Sequence, residues 1–438
     1  MFGEVDMSLF TWLTLWVVSQ PLPNEALLEE RFQVGQGWRV KSRSEIGGTL
    51  HLPAPGGKST RSLLVTGESA LEYEEAILAL SASAETGGVA RTLRLYKRAD
   101  LKRKMGDQDQ SSGIRPAVRK VVLVRQGSQE VPFSPDGPLT LNEIELVRTD
   151  LFTPALAGLL PGKVVGAGAA WEAKPDAVRE LTDMLRIDSG KIECTLAEFQ
   201  NIQNQQVARI RFSGKVTGAN QDGPCTQDLE GQAYFDLNAR CLAYLSLNGK
   251  HNLPGGQGYP ASTLQGRFVL TREKLDVPGE LGAVQPGDTR YEPGEDNTLL
   301  VEELPSLRLE YPRRWKYIQG GARQITMDGA DGSGLLITLE PAGRVPSPVQ
   351  FQLESRAFLE RGGHRIVGGE QPQMLSAEIS RFTLEAEKDG KRIHLEYYVR
   401  TTQLGGILVA GRFPGDTRNA RPDLERLIRR TTITSAIR

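Results

Sequence analysis

Apolar and polar side chains alternate over short stretches of this chain, the period of a half-buried strand. In the first third the alternation is visible in Arg91–Tyr96 and in the run Val121–Val124. Gly67–Leu80 fits two periods: Ala70, Leu71, Ala76, Ile77 and Leu80 suit a helix, while Tyr73 and Ile77 also suit a strand. Pro135-Asp136-Gly137-Pro138 signals a turn. Leu141–Leu146 then begins a mostly helical connection through Leu151, Leu156, Leu159 and Leu160, ending at Pro161-Gly162. Further strands are expected at Val207–Val216, Gly231–Leu237, Leu242–Leu247 and Thr263–Thr271, with Asp236 and Asn238 supplying turn chemistry between the middle pair. Short turns between successive strands favour antiparallel pairing, because parallel neighbours need crossovers of about a dozen residues.

One motif occurs twice. Val34-Gly35-Gln36-Gly37-Trp38 returns as Val165-Gly166-Ala167-Gly168-Ala169-Ala170-Trp171, and each copy leads into strand-like sequence. Residues 24–275 therefore read as a duplicated β-rich domain with halves at about 24–162 and 163–275. Alone, the second copy invites a dinucleotide-binding reading, with Ala170 as the third small residue and Asp188 as the ribose acid. Pro175 breaks the helix that such a loop must feed, and the first copy runs into strand-like Trp38–Lys41. A structural turn with the Trp as a core anchor is expected, and no cofactor.

Residues 276–300 change character: Pro278, Gly279, Pro286, Gly287, Pro293 and Gly294 alternate with Asp276, Glu280, Asp288, Glu292, Glu295 and Asp296. No apolar periodicity survives, which predicts an acidic linker. Residues 301–438 then read as a separate α+β module. Leu307–Tyr311 and Leu335–Leu339 are strand-like, and Ser347-Pro348 caps a helix with Phe351, Phe358 and Leu359 on one face, ending at Gly362-Gly363. Strands follow at Ala377–Ala386, Ile393–Val399 and Gly406–Phe413, the first two joined by a Lys388-Asp389-Gly390-Lys391 turn. A last helix, Pro422–Arg430, turns Leu424, Leu427 and Ile428 inward and places Arg429 and Arg430 at its negative end.

That order, with Leu309-Glu310-Tyr311-Pro312-Arg313-Arg314-Trp315 and the ending Leu424-Glu425-Arg426-Leu427-Ile428-Arg429-Arg430-Thr431-Thr432-Ile433, resembles the PsbP-like α/β/α fold over about 300–438. The resemblance implies a non-catalytic binding or assembly module. The N-terminal part, including Leu159-Leu160-Pro161-Gly162-Lys163-Val164-Val165-Gly166, is similar to exported bacterial β-rich proteins. Its doubled sheet resembles the half-barrels of lipoprotein carriers such as LolA and LppX. No ligand residue carries over from either likeness.

Composition narrows the classes. A chain of 438 residues, 39% hydrophobic and 24% charged, suits two soluble domains, and 47 Gly with 25 Pro suits many turns. The net charge of −1 gives no global field to attract nucleic acid, so none is expected as a partner. Leu9–Val18 has the length of an export-signal core, with Val17 and Ser19 placed for cleavage, although Glu4 and Asp6 stand where positive charge is usual. Residues 1–23 are therefore read as a signal peptide or N-terminal anchor and the protein as periplasmic or secreted, with peripheral membrane association open.

No catalytic, cofactor or metal constellation emerges. His51, His251, His364 and His394 are dispersed, and His394 reads as a solvated strand residue. Cys225 and Cys241 have the option of pairing across a hairpin, leaving Cys194 free. Asp328–Gly334 lacks the ligand spacing of a calcium loop and reads as a hairpin turn. Lys97, Arg98, Lys102, Arg103 and Lys104 read as a solvated strand edge. The function expected is non-enzymatic binding or scaffolding in the cell envelope, toward a hydrophobic, lipidic or protein partner. The alternatives are an enzyme built from dispersed residues and a polyanion binder using Lys97–Lys104.

Overall fold

The architecture comes from a computed structural model that describes residues 21–437, apart from 54–59, 82–87, 128, 257–259, 277–278, 283, 285–286, 322 and 416–419. The expected export segment, Leu9–Val18, lies outside the described residues.

The N-terminal strands are β1 (Glu25–Leu27), β2 (Gly37–Pro53), β3 (Thr60–Leu80), β4 (Val89–Met105), β5 (Gln108–Gly113), β6 (Lys120–Gln126) and β7 (Gln129–Phe133). Helix α1 (Leu141–Val147) and a 3-10 stretch, Thr153–Leu159, follow. After them come β8 (Val164–Gly166), β9 (Ala170–Glu172), helix α2 (Pro175–Thr182), β10 (Arg186–Ile202), β11 (Gln205–Asn220), β12 (Gly223–Asp236), β13 (Cys241–Leu253) and β14 (Ala261–Leu275). All but β1 and β8 join one 12-stranded antiparallel sheet, ordered β7-β6-β4-β3-β2-β14-β13-β12-β11-β10-β9 with β5 beside β4. Pairing of β2 with β14 fuses the strands of both sequence halves into this single sheet.

The sheet stays open, its outer strands β7 and β9 being unpaired on their far sides. Pro132 on β7 has no N–H to offer a further strand, a common way to blunt an edge. Glycines allow the sheet to fold over sharply. A Cβ on Gly48 would fall on the Thr263 carbonyl oxygen, and one on Gly214 on that of Lys191.

Gly67–Leu80 is strand throughout, inside the 21-residue β3. Pairing to β2 and β4 overrides its local helical look. Both faces of its upper half are buried, so the sequence shows no clean alternation there. On one face, called inner here, α1, the 3-10 stretch and α2 cover Trp38, Val40, Tyr73, Ile77 and Tyr96 with Leu146, Phe152, Leu156, Leu159 and Val178.

The other face is covered by the presumed linker, which is not free. Leu281, Val284 and Tyr291 pack on Leu78, Leu93, Val122 and Phe133. Leu281 N donates to Glu74 at 2.9 Å, Lys97 bridges Glu74 and Glu280, and Arg91 reaches the Tyr291 carbonyl and Glu292. The composition argument failed because three apolar residues suffice to pin a strap on a pre-existing sheet.

Residues beyond 298 build two more antiparallel sheets. A small one contains Leu300–Leu304, Leu307–Tyr311 and Thr432–Ile433. The larger, 8-stranded one runs Trp315–Gly320, Gln324–Gly329, Gly334–Glu340, Gly405–Phe413, Lys391–Thr402, Ile379–Lys388 and Arg365–Gly368, with Gln373–Met374 also beside Ile379–Lys388. Helix α3 (Pro348–Arg361) starts at Ser347, whose side chain accepts from Gln350 N, and packs Phe351 and Leu359 over Phe382 and Tyr397. Phe358 departs from expectation: it is 70% exposed.

Helix α4 (Arg421–Arg430) buries Leu424, Leu427 and Ile428 as expected. Its C-terminal carbonyls are capped by Arg400, whose Nη1 donates to Ile428 O at 2.9 Å and Thr431 O at 2.6 Å. Arg429 and Arg430 instead face Glu425 and Asp296. Glu396 and Tyr398, facing the opposite side of their strand from Leu395 and Tyr397, are fully buried, and half-buried Arg421 reaches in to Glu396 at 2.8 Å. The two parts of the chain touch: Val301 N donates to Leu139 O at 3.0 Å and Arg115 pairs with Glu303 at 2.9 Å.

Candidate binding surface

The twin glycine turns make the same hydrogen bonds. Gly35 N donates to Ile77 O at 2.9 Å and Ile77 N to Gln36 O at 3.0 Å. In the second copy, Gly168 N donates to Leu196 O at 2.8 Å and Leu196 N to Ala169 O at 3.0 Å. Each turn enters a strand, and both Gly35 and Gly168 adopt positive φ, at 83° and 86°. Trp38 is fully buried beneath Arg272, and Trp171 donates its Nε1 hydrogen to Leu159 O at 2.8 Å. The segments just before the turns, β1 and β8, pair with each other. Antiparallel strands follow the second turn and α2 begins only at Pro175, so its N–H groups do not face Gly166-Ala167-Gly168. Asp188 is held by Arg186 at 2.7 Å.

Three buried arginines organise the inner face. Arg94 donates to Glu75 at 2.9 Å, Asp150 at 3.1 Å and Leu151 O at 2.7 Å, and its guanidinium lies 4.4 Å from the Tyr73 ring centre. Tyr73 OH donates to Asp150 at 2.5 Å, and Thr153 to Glu75. Burial raises the Asp150 carboxyl and the phenols, Tyr96 to about 12. The network fastens the helical connection to β3 and β4. Arg272 pairs with Glu30 at 3.0 Å, and burial pushes that carboxyl up too. Arg125 pairs with Glu180 at 2.9 Å beside Glu130, whose carboxyl burial and the Glu180 charge raise to about 8. Each cluster gathers carboxylates, yet each is occupied by its own arginine.

Below these clusters the helical cover ends while the strands continue. The inner-face positions there carry aliphatics, Ile46 (41% exposed), Leu50, Leu63, Leu264 and Met105 (38% exposed), with Arg103 opposite Gly67, Ser262 opposite Leu50 and His251 opposite Leu264 among them. Register places Ile46 beside Gly67 and Leu264 beside Gly48, and Leu50 lies opposite Leu63. Ile46 lies over Gly67 and Leu264 over Gly48, so these aliphatics form a continuous apolar floor between the polar positions. Every strand of the floor has its backbone paired on both sides. It therefore offers apolar contact and no free backbone ladder.

The other sequence candidates do not converge. His51 contacts Ser62 at 3.1 Å on β2, His251 lies on β13 with a burial-lowered pKa, and His394 sits half-covered 3.8 Å from Glu385. Cys194, Cys225 and Cys241 are free and buried. The β12–β13 register sets Cys241 opposite Asp236 and Cys225 at the far end of the hairpin, so they do not pair. Asp328–Gly334 joins two strands, with Asp331 accepting from Ser333 N at 3.0 Å. The basic stretch is not a strand edge, because β4 lies between β3 and β5 with β6. Lys97, Arg98, Arg103 and Lys104 each pair with a carboxylate. Among the described residues no group of three or more His, Cys, Asp or Glu is placed to hold a metal.

A crevice of about 390 Å3 lies between the first glycine turn, Glu74–Ala76, Lys274–Asp276 and Gly279–Gly282. Its buried acid, Glu74, is taken by Lys97 and Leu281 N. The apolar floor, by contrast, was missed in the sequence. The spacing Ile46-x-Gly48-x-Leu50-x-Leu52 carries its signal, but period two does not say which buried faces lack a cover.

No family model and no curated protein matches the chain. Among solved structures, the Saccharomyces cerevisiae Ran-binding protein Mog1p is similar at 8% identity over 31% of this chain and 96% of its own, with TM-score 0.25. A mutant of the protein Mog1 gives 10% identity over the same shares and TM-score 0.26. MucB in complex with MucA(peri) aligns over 90% of this chain and 94% of its own at 11% identity and TM-score 0.15. At these scores the likenesses assign neither a family nor a function.

Proposed function

We propose that the chain is a non-catalytic binding protein of the cell envelope, a doubled half-barrel joined to a PsbP-like module, and that its apolar floor takes an acyl chain. The observation that carries this reading is the aliphatic stretch of the inner face around Ile46, Leu50 and Leu63, exposed at Ile46 and half-buried at the two leucines among the described residues. An acyl chain needs no hydrogen bonds, and the floor has no unpaired backbone with which to recognise an extended peptide. Pairing of the buried carboxylates with Arg94, Arg125 and Arg272 supports binding over catalysis. The apolar run Leu9–Val18 supports export.

A second reading, docking of a protein partner on the C-terminal module, is favoured by exposed Leu353, Phe358 and Met374, at 62%, 70% and 75%. Native mass spectrometry on protein purified from its source compartment, with lipid extraction, separates the two. Acyl lipid carried by the wild type and lost from Leu63→Glu supports the floor. Lipid-free protein with a stoichiometric protein companion supports docking and sinks the acyl reading.

A further inference from the structure

Among the described residues the fully buried arginines face acids, but half-buried Arg313 has only neutral acceptors. Arg94 and Arg272 have carboxylate partners that hold their charge firmly. Arg313, in the loop after Leu307–Tyr311, donates Nε to Thr298 O at 2.7 Å and Nη2 to Pro132 O. Both acceptors are neutral carbonyls. Burial and the nearby Arg148 charge lower its pKa to about 10. Arg148, the exposed C-cap of α1, reaches Gln221 Oε1 at 3.4 Å and Glu130 O at 3.5 Å, again neutral acceptors. Asp183 senses the Arg148 charge but forms no ion pair with it among the described residues.

Both heads reach the same strand, and each guanidinium lies within the field of the other. Their acceptors, the carbonyls of Glu130 and Pro132, are two residues apart on the free edge of β7, hence roughly 7 Å from one another. Holding a half-buried guanidinium beside a second cation without an acid is unfavourable unless an anion joins them. Arg148 is exposed and Arg313 half-buried, so the pair lies within reach of solvent.

We infer that Arg148 and Arg313 form a seat for a phosphate-type oxyanion at the junction of the N-terminal sheet and the C-terminal module. A tetrahedral oxyanion can turn a separate oxygen to each guanidinium, with contacts of about 2.8 Å, which a monatomic chloride cannot. The bound anion ties α1, the edge of β7 and the loop of Arg313 together. The site is separate from the apolar floor and does not depend on it.

Differential scanning fluorimetry of the full chain, in sodium phosphate and in sodium chloride of matched ionic strength, tests the inference. Phosphate raises the unfolding midpoint by several degrees and chloride does not. The surface variant Arg148→Gln keeps the fold and weakens phosphate about tenfold. Arg313→Gln abolishes the phosphate response without lowering the midpoint in chloride, since it removes a charge that lacks a partner. Equal midpoints in the two salts, or an undiminished phosphate response in Arg148→Gln, overturns the site. Flotation with phosphatidylglycerol vesicles then assigns the source. Arg148-dependent co-flotation makes the anion a lipid headgroup, and its absence alongside the phosphate response makes it free phosphate.

Discussion

Replacing Arg94 by Met is the sharpest perturbation of the inner face. The substitution nearly conserves length but removes the 2.9 Å contact to Glu75, the 3.1 Å contact to Asp150 and the 2.7 Å contact to Leu151 O. It leaves two carboxylates, both with fully buried side chains, without a countercharge. Breaking a buried pair from one side costs about 3–5 kcal/mol, so a loss of about 4 kcal/mol is expected at pH 7. That is a large part of the ~5–15 kcal/mol that holds a typical domain together. The sign of its pH dependence follows from the stranded acids. Burial already raises the Asp150 carboxyl and Arg94 is what holds it down, so without Arg94 the cost grows as pH climbs and shrinks toward pH 5. Urea unfolding followed by tryptophan fluorescence at pH 7 and pH 5 measures both quantities. A loss under about 1 kcal/mol, or a gap that ignores pH, would refute the idea that Arg94 fastens the helical connection to the sheet.

Other outcomes follow from the same geometry. Glu130 has its pKa raised from 4.5 to about 8, so the folded state keeps a proton the unfolded chain releases, and stability falls as pH rises across that window. Glu130→Gln should therefore stabilise the protein by up to about 4–5 kcal/mol at pH 8.5 and by little near pH 4.5, as thermal melts at the two pH values will show. Gly35→Ala meets no neighbour within 4 Å, so its cost is only that of positive φ, about 1–2 kcal/mol. Gly48→Ala collides with the Thr263 carbonyl, and its midpoint should drop well below that of Gly35→Ala. A thiol reagent should titrate none of Cys194, Cys225 and Cys241 in the folded protein and all three after denaturation, because all are buried and burial raises their pKa values. Fast labelling of any one in the native state contradicts their placement.

A strand with a single buried face was legible in the sequence, as at Val207–Val216, because one buried face writes a clean period of two, while Ile393–Val399 alternates in residue type although both of its faces are buried. The upper part of β3 was not, because the helical connection and the strap cover both of its faces. Turn chemistry was also legible: Asp389 and Gly390 take the positive φ values of 50° and 73° that their residue types suggest. The strap over 276–298 stayed hidden because its anchors, Leu281, Val284 and Tyr291, are too few to make a pattern. Phe358 misled because helical spacing fixes an angle around the axis, not the width of the sheet beneath it. The apolar floor was half visible. Its alternation could be read, but its lack of cover depends on where α1 and α2 stop in space.

The measurement that bears most directly on the acyl-binding proposal is a titration of delipidated protein with a fluorescent long-chain fatty acid. Wild type and Ile46→Glu are compared, since a charge at a 41% exposed floor position disturbs a ligand more than the fold. The account predicts saturable one-to-one binding by the wild type and at least about tenfold weaker binding by the variant. Identical binding curves, or a wild type that leaves the probe in water, would contradict it.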